Sequence, residues 1–139
     1  DMQREGLIRH VGLSEVTVQD VIDAQRHFPV VSVQNLYNVA DRSAEPLLDH
    51  CEEHGIGFIP WFPLGGRGLA QDGSALTTIA ARLGATPGQV ALAWLLQRSP
   101  VMLPIPGTGS IAHLEENCAS ADLLLDEATV AELDALAGS

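Results

Sequence analysis

Short apolar runs and amphipathic stretches alternate along this chain. Between the apolar runs, apolar residues recur at helical spacing. The pattern predicts two strand–helix units followed by two strand–helix–helix units. Alternation of this kind predicts a parallel sheet with helical crossovers. The four predicted strands are Leu7–Leu13, Val30–Val33, Ile56–Ile59 and Val101–Ile105.

Capping signals place the predicted helices between these strands. Thr17 opens the first helix, with Asp20 three residues later as its capping-box partner. The second helix begins near Ser43 and ends at Gly55, a residue suited to a left-handed C-terminal cap. The remaining helix boundaries are predicted at Gly84, Thr86, Arg98, Ser110 and Asp126.

The chain has 139 residues, whereas a complete (β/α)₈ barrel takes about 250. Four strands can form an open four-stranded sheet or half of such a barrel. The sequence begins with Asp1 rather than Met, and Gln3-Arg4-Glu5 resembles the end of a helix. We therefore expect an N-terminal portion to precede it, and residues 1–139 to form a single partial domain.

The composition is that of a folded, acidic protein. Hydrophobic residues make up 46% and the formal net charge is -11, so we expect neither nucleic acid nor an anionic membrane as the main partner. The longest apolar runs are too short to span a membrane. Cys51 and Cys118 lie outside any CxxC or Cys/His cluster, which predicts two reduced, buried thiols, a cytoplasmic location and no metal site.

Polar and aromatic residues follow each predicted strand, where ligands bind in parallel α/β folds. Ser14 and Gln34 can hydrogen-bond a carboxamide, and Trp61 can stack on a flat ring. The glycine-rich segment Gly107–Ser110 opens a helix and can present N–H groups to an anion. Together they predict a site for a nucleotide with an amide-bearing ring. The alternatives are that Ser14 is a turn residue, that Gln34 is a loop amide, that Trp61 is a packed aromatic and that Gly107–Ser110 is a plain helix cap.

Two further residues are candidates for chemistry. His113 lies in the first turn after the glycine-rich segment, from which it can reach a bound anion. Tyr37 is the only tyrosine, and all seven basic residues are arginine. A tyrosine without a neighbouring lysine is a poor general acid, so we interpret Tyr37 as a loop or pocket-wall residue. The helix after Ser110 is predicted to carry one apolar face, made of Ile111, Leu114 and Cys118.

Five segments jointly resemble the aldo-keto reductase family: IRHVGLSEVT, VSVQNLYNVADR, GIGFIPWFPLGG, TPGQVALAWLL and LPIPGTGSIAHLEEN. Members of that family are (β/α)₈ TIM barrels that reduce carbonyls with NADPH, without metal or flavin. The resemblance covers nearly the whole of this chain but only the C-terminal half of a typical family member. It implies that this chain forms strands five to eight of the barrel, together with their helices.

The resemblance also implies a cofactor site. Ser14 and Gln34 would bond the nicotinamide carboxamide, and Trp61 would lie under the nicotinamide ring. The segment along the pyrophosphate would be Phe62, Pro63, Leu64 and Gly65. The segment around the adenosine 2′-phosphate would be Gly107, Thr108, Gly109 and Ser110, followed by His113, and the adenine contacts would be Glu116 and Asn117.

Several positions depart from the family pattern. Glu15 stands where many members have Asn, and Phe62 replaces a common Ser. Gly107 and His113 stand where some members have Lys and many have Arg, which leaves the choice between NADP and NAD open.

The family's catalytic Asp, Tyr, Lys and His come from strands two to four, which have no counterpart in this sequence. The resemblance therefore implies no catalytic residue in this chain and no activity for it alone. It implies a small carbonyl substrate for the intact enzyme. The expected partner is the missing N-terminal half or a second copy of the chain, because four strand–helix units leave sheet edges open.

Overall fold

A computed structural model of the chain describes residues 1–65, 71 and 73–137. Three strands form a parallel sheet in the order β1–β2–β3, as the alternating pattern predicts. In chain order the elements are β1 (Val11–Ser14), α1 (Val18–Gln25), β2 (Val30–Leu36), α2 (Glu45–His54), β3 (Gly57–Trp61), α3 (Ala75–Leu83), α4 (Pro87–Arg98), α5 (Ile111–Ala119), a 3₁₀ turn (Ser120–Asp122) and α6 (Glu127–Asp134).

The prediction of a fourth strand at Val101–Ile105 is wrong, because this segment forms no extended strand. Met102 makes one parallel bridge to Phe58, with hydrogen bonds from Phe58 N to Val101 O and from Leu103 N to Phe58 O, both 2.8 Å. Pro104 and Pro106 have no N–H groups, so the segment cannot continue a hydrogen-bonded ladder. It nevertheless runs beside β3 in the parallel sense.

The first strand is shorter than predicted, because it begins at Val11 rather than Leu7. Val11 pairs with Val30, the first residue of β2. Pro29 precedes Val30 and offers no N–H for further pairing. Residues 7–10 therefore lie outside the sheet, whereas β2 and β3 extend beyond their predicted ends to Leu36 and Trp61.

The capping predictions are confirmed. Thr17 and Asp20 form a reciprocal capping box at the start of α1. Thr86 does the same with Gln89 at the start of α4, where Pro87 occupies the first turn. Gly55 ends α2 in the left-handed conformation, with a φ of 65°, which glycine adopts without steric cost. Local capping chemistry therefore marks these helix boundaries.

The core lies between one face of the sheet and the helices. Val33 and Phe58 are neighbours in register and are fully buried. Helix α4 is the most enclosed helix of the described chain, and its Trp94 is buried against this layer. No helix among the described residues is both long and apolar enough to cross a membrane.

Tyr37 lies in the loop directly after β2, as predicted, but its side chain is buried in this core rather than lining a pocket wall. The Tyr37 ring stacks on Trp94 with centroids 5.9 Å apart and meets Phe58 edge-on at 5.7 Å. Its hydroxyl donates a 2.6 Å hydrogen bond to Glu45 Oε2. Burial and that bond raise the pKa of Tyr37 well above its ordinary value.

Helix α5 differs most from its predicted packing. Ile111 is 78% exposed, and Leu114 and Cys118 are exposed as well. Among the described residues, α5 packs against α4 and the 3₁₀ turn and has no buried residue of its own. The prediction of a buried Cys118 is therefore wrong, whereas Cys51 is buried as predicted and burial raises its pKa to about 11.

Candidate functional site

Ser14 and Gln34 lie side by side at the carboxyl edge of the sheet. Ser14 is the last residue of β1 and pairs in register with Gln34 of β2, which in turn pairs with Ile59 of β3. Residues in register on parallel strands point to the same face. This row faces away from the helices, because the preceding row contains the buried Val33 and Phe58. The structure thus brings the two predicted amide-binding residues together.

Trp61 and Phe62 supply aromatic surface at the same edge. Trp61 ends β3 in register with Leu36 and lies two residues beyond Ile59, so its side chain belongs to the same face. The rings of Trp61 and Phe62 are tilted, with centroids 6.3 Å apart. Trp61 is half-buried and Phe62 is 53% exposed. A flat ring placed beside Gln34 can therefore meet an aromatic face.

Two residues at this edge have left-handed backbone conformations without being glycine. The φ of Glu15 is 54° and that of Phe62 is 57°. Such conformations cost about 1–2 kcal/mol each and cluster at functional sites. Glu15 N donates to Gln34 O at 2.9 Å, and Asn38 Nδ2 donates to Phe62 O at 3.2 Å. These bonds hold the strained turns in place.

Gln34 and Asn35 have different roles, although they are adjacent in the sequence. The Asn35 amide accepts from Val16 N at 3.2 Å and donates to Val16 O at 3.0 Å. It therefore ties the turn after β1 to β2 and is occupied by the backbone. The Gln34 side chain points to the opposite face, where it is half-buried.

The segment predicted to follow the pyrophosphate forms a turn directly after β3. Gly65 N donates to Phe62 O at 3.0 Å, and the φ of Gly65 is 63°. Pro63 is buried and Leu64 packs against the core. Phe62 is the side chain of this turn that remains most open to a ligand.

The glycine-rich segment lies beyond the Met102 bridge, which runs parallel to β3. Its position in the chain places it past the same edge of the sheet as Trp61. Ser110 caps α5, since its side chain accepts from His113 N. Thr108 Oγ1 accepts from Ser110 N at 3.1 Å. This segment therefore opens a nine-residue helix, as predicted.

The glycines of this segment are not required by the chain's own packing. A Cβ atom at Gly107 or Gly109 would meet no heavy atom within 4 Å, and neither residue has a positive φ. Their absence of side chains leaves the backbone accessible to a ligand. His113 and Glu116 are exposed, and Asn117 is half-buried.

Asn117 also lines a groove of about 330 Å³ between α4 and α5. The wall of this groove is mostly apolar and comprises Leu92, Leu96, Pro104, Pro106, Leu114 and Cys118. A second cavity, of about 530 Å³, lies at the starts of α1 and α2 beside Glu15 and Asn35. Neither the carboxamide pair nor Trp61 lines it, and no motif in the sequence predicts it.

The described residues place no acid–base pair at this edge. The Tyr37 hydroxyl lies on the helix side of the sheet, bonded to Glu45. Asp20 and Asp126 have lowered pKa values because each accepts hydrogen bonds at a helix start, from Thr17 and Thr129. Within the described ranges, no group of three or more His, Cys, Asp or Glu side chains could hold a metal ion.

The model of the aldo/keto reductase family matches residues 1–137. The chain belongs to the aldo-keto reductase family. It is 54% identical over 133 residues to an uncharacterized oxidoreductase of Schizosaccharomyces pombe, covering 96% of this chain and 44% of that protein. It is 50% identical over 136 residues to pyridoxine 4-dehydrogenase of Escherichia coli, covering 98% and 47%.

Solved aldo-keto reductases have the same fold over the matched part. The structure of a Klebsiella pneumoniae aldo-keto reductase in complex with NADPH superposes with a TM-score of 0.87 and 31% identity, covering 97% of this chain and 50% of that one. These findings confirm the predicted family and the parallel α/β fold class. The chain spans about half the length of the relatives it matches. The roles of the individual site residues stay predictions.

Proposed function

We propose that this chain is the cofactor-binding, C-terminal half of an NAD(P)H-dependent aldo-keto reductase. In the intact enzyme the activity would be reduction of an aldehyde or ketone to an alcohol. The observation that supports this most directly is the register of Ser14 with Gln34, beside Trp61, at one edge of the sheet. A small carbonyl substrate and a cytoplasmic location remain predictions.

The side chains at this edge suit a nicotinamide. A carboxamide has both donors and acceptors, and the Gln34 amide and the Ser14 hydroxyl can each satisfy both kinds. The indole of Trp61 offers an apolar face for the ring. The cofactor, when bound, supplies the hydride for carbonyl reduction. The contribution of this chain is to bind the nicotinamide and fix its orientation.

The start of α5 suits the phosphates. Free N–H groups at a helix N-terminus favour anions. Thr108, just before the helix, and His113, in its first turn, add polar side chains. The NADPH bound in the Klebsiella pneumoniae relative supports NADP as the cofactor. Gly107 and His113 provide less positive charge than lysine and arginine would, so NAD is the alternative.

The proposal includes inactivity of the chain alone. All seven of its basic residues are arginine, and its one tyrosine is buried with its hydroxyl bonded to Glu45. Among the described residues, no tyrosine hydroxyl lies at this edge to deliver a proton to a carbonyl oxygen, which is the residue type that the family resemblance implies for that step. With NADPH and a generic aldehyde, the purified chain is expected to leave the NADPH absorbance unchanged. Turnover that scales with the chain would overturn this part of the proposal.

Calorimetric titration tests cofactor binding itself. NADPH should bind the chain at one site, and Gln34→Ala should raise the dissociation constant about tenfold, through loss of hydrogen bonds to a desolvated amide. Gln25→Ala, at an exposed position on α1, is the matched control and should bind as the parent does. Equal affinities for the Gln34 and Gln25 variants would contradict the assigned site.

A second candidate function is a non-catalytic half-barrel module that pairs with a second copy. The face of the sheet opposite the helices favours it, because Leu103 is 56% and Ile105 48% exposed there. Parallel sheets are normally covered on both faces. Analytical ultracentrifugation separates the candidates. A stable dimer that excludes NADPH would favour the module, and a monomer that binds NADPH would favour the cofactor-binding half.

A further inference from the structure

Glu15 and Trp61 meet although their strands are not neighbours. β1 and β3 flank β2 in the sheet, yet the indole Nε1 of Trp61 donates a hydrogen bond to Glu15 Oε1. The contact therefore crosses over the end of β2, next to Gln34. It joins the turn after β1 directly to the aromatic residue that ends β3.

The backbone of Glu15 is shaped for this contact. Its φ of 54° lies in the left-handed region, which residues other than glycine seldom occupy. Glu15 N still donates to Gln34 O at 2.9 Å, so the chain leaves the sheet at Glu15 itself, one hydrogen bond beyond Ser14. The turn leaves the Glu15 side chain free to reach over β2 to the indole.

The chemistry of the pair fixes an orientation. Indole has a single N–H donor, so a bond at that atom restricts the rotation of the ring about its side-chain bonds. A carboxylate acceptor makes the bond charge-assisted. The tilted contact of Trp61 with Phe62 alone would leave the ring free to turn. Because Glu15 is exposed, the contact orders the ring more than it stabilises the fold.

We infer that Glu15 is a positioning residue, whose carboxylate holds the Trp61 indole in the orientation that stacks on the nicotinamide ring. This inference rests on the proposed function for the identity of the ring. Glu15 moves no proton and no hydride in this role. It acts on the cofactor only through Trp61.

The first test needs no nucleotide. The chain has two tryptophans, and Trp94 is 1% exposed, so emission quenched by acrylamide comes from Trp61. Glu15→Ala should raise the quenching constant and shift the accessible emission to the red. Glu15→Gln keeps an acceptor oxygen and should stay near the parent. Glu53→Gln, at an exposed position on α2, controls for the lost charge and should change neither quantity.

The second test adds NADPH to the same four proteins. Glu15→Ala should raise the dissociation constant about three- to tenfold, and Glu15→Gln less than about twofold. If Glu15→Ala matches Glu53→Gln in both quenching and affinity, the inference is overturned. If the quenching changes as expected while the parent binds no NADPH, the positioning contact stands and the proposed function fails. Far-ultraviolet circular dichroism of each variant confirms that it is folded.

Discussion

Replacing Tyr37 with phenylalanine removes one hydroxyl from the core without changing the ring. That hydroxyl donates to Glu45 Oε2 at 2.6 Å, and Glu45 also accepts from Arg98 Nε at 2.6 Å. A buried hydrogen bond to a charged group contributes about 1.5–3 kcal/mol. Arg98 still holds Glu45 Oε1 in the variant, and the Glu45 side chain is 30% exposed, so water can reach the Oε2 atom that loses its donor. We therefore expect a loss at the lower end, about 1.5 kcal/mol at neutral pH.

The same contact predicts a dependence on pH. Burial and the Glu45 bond raise the pKa of Tyr37 in the folded chain. In the unfolded chain the Tyr37 hydroxyl loses its proton at about pH 10. Above that pH the unfolded state binds fewer protons than the folded state. The free energy of unfolding therefore falls by up to about 1.4 kcal/mol per pH unit. The advantage of the parent over Tyr37→Phe should vanish at about pH 11.

Urea unfolding of both proteins, followed by tryptophan fluorescence at several pH values, measures this difference. Cys51 also titrates in the alkaline range, with a pKa raised to about 11, but it is present in both proteins and cancels. Because Tyr37 is the only tyrosine, tyrosinate absorbance reports its ionisation alone. A stability difference that is constant up to about pH 11, or tyrosinate forming in the folded chain at its ordinary pKa, would refute the reasoning.

Three further predictions concern packing, capping and thiol access. Gly12→Ala places a Cβ atom against Ser32 Oγ and 3.1 Å from Ser32 O and should lower the free energy of unfolding by about 1 kcal/mol. Ser32→Ala in the same chain should restore part of the loss, since it removes the Oγ contact and leaves the backbone one, and no restoration at all would contradict the clash. Thr86→Ala removes the capping box of α4 and should lower the urea midpoint by the equivalent of about 1 kcal/mol, whereas an unchanged midpoint would contradict the role of the cap. A thiol reagent should modify the exposed Cys118 in the folded chain and the buried Cys51 only after unfolding; equal rates would contradict the difference in burial.

Local chemistry made much of the fold predictable. Thr86, Pro87 and Gln89 specify a helix start through atoms only three residues apart, and the structure places α4 there. The extent of pairing was less predictable, because it depends on the partner strand. Val101–Ile105 has the composition of a strand, but Pro104 within it and Pro106 just after it limit the pairing to one bridge at Met102.

The packing of α5 shows a different limit. Apolar residues at helical spacing predict that one face of a helix is covered, but they do not specify which element covers it. Ile111 and Leu114 remain exposed on the described chain, where α5 packs mainly on α4 and the 3₁₀ turn. Periodicity along one helix contains no information about which neighbouring elements reach it.

The candidate site was predictable where it follows from topology. Parallel strands bring their carboxyl ends to one edge. This rule predicts that Ser14 and Gln34 share an edge, and the register places them side by side. The contact between Glu15 and Trp61 was not predictable in this way. It depends on a left-handed φ at Glu15 and on β1 and β3 flanking β2, which no local pattern specifies.

We propose that one edge of this sheet binds a nicotinamide dinucleotide. Amide chemical-shift mapping of the isotope-labelled chain during an NADPH titration tests it most directly. We predict saturable shifts at Ser14 and Gln34 and in residues 107–110, with helix α3 unaffected. Shifts confined to the groove between α4 and α5, or none with NADPH in large excess, would contradict the claim.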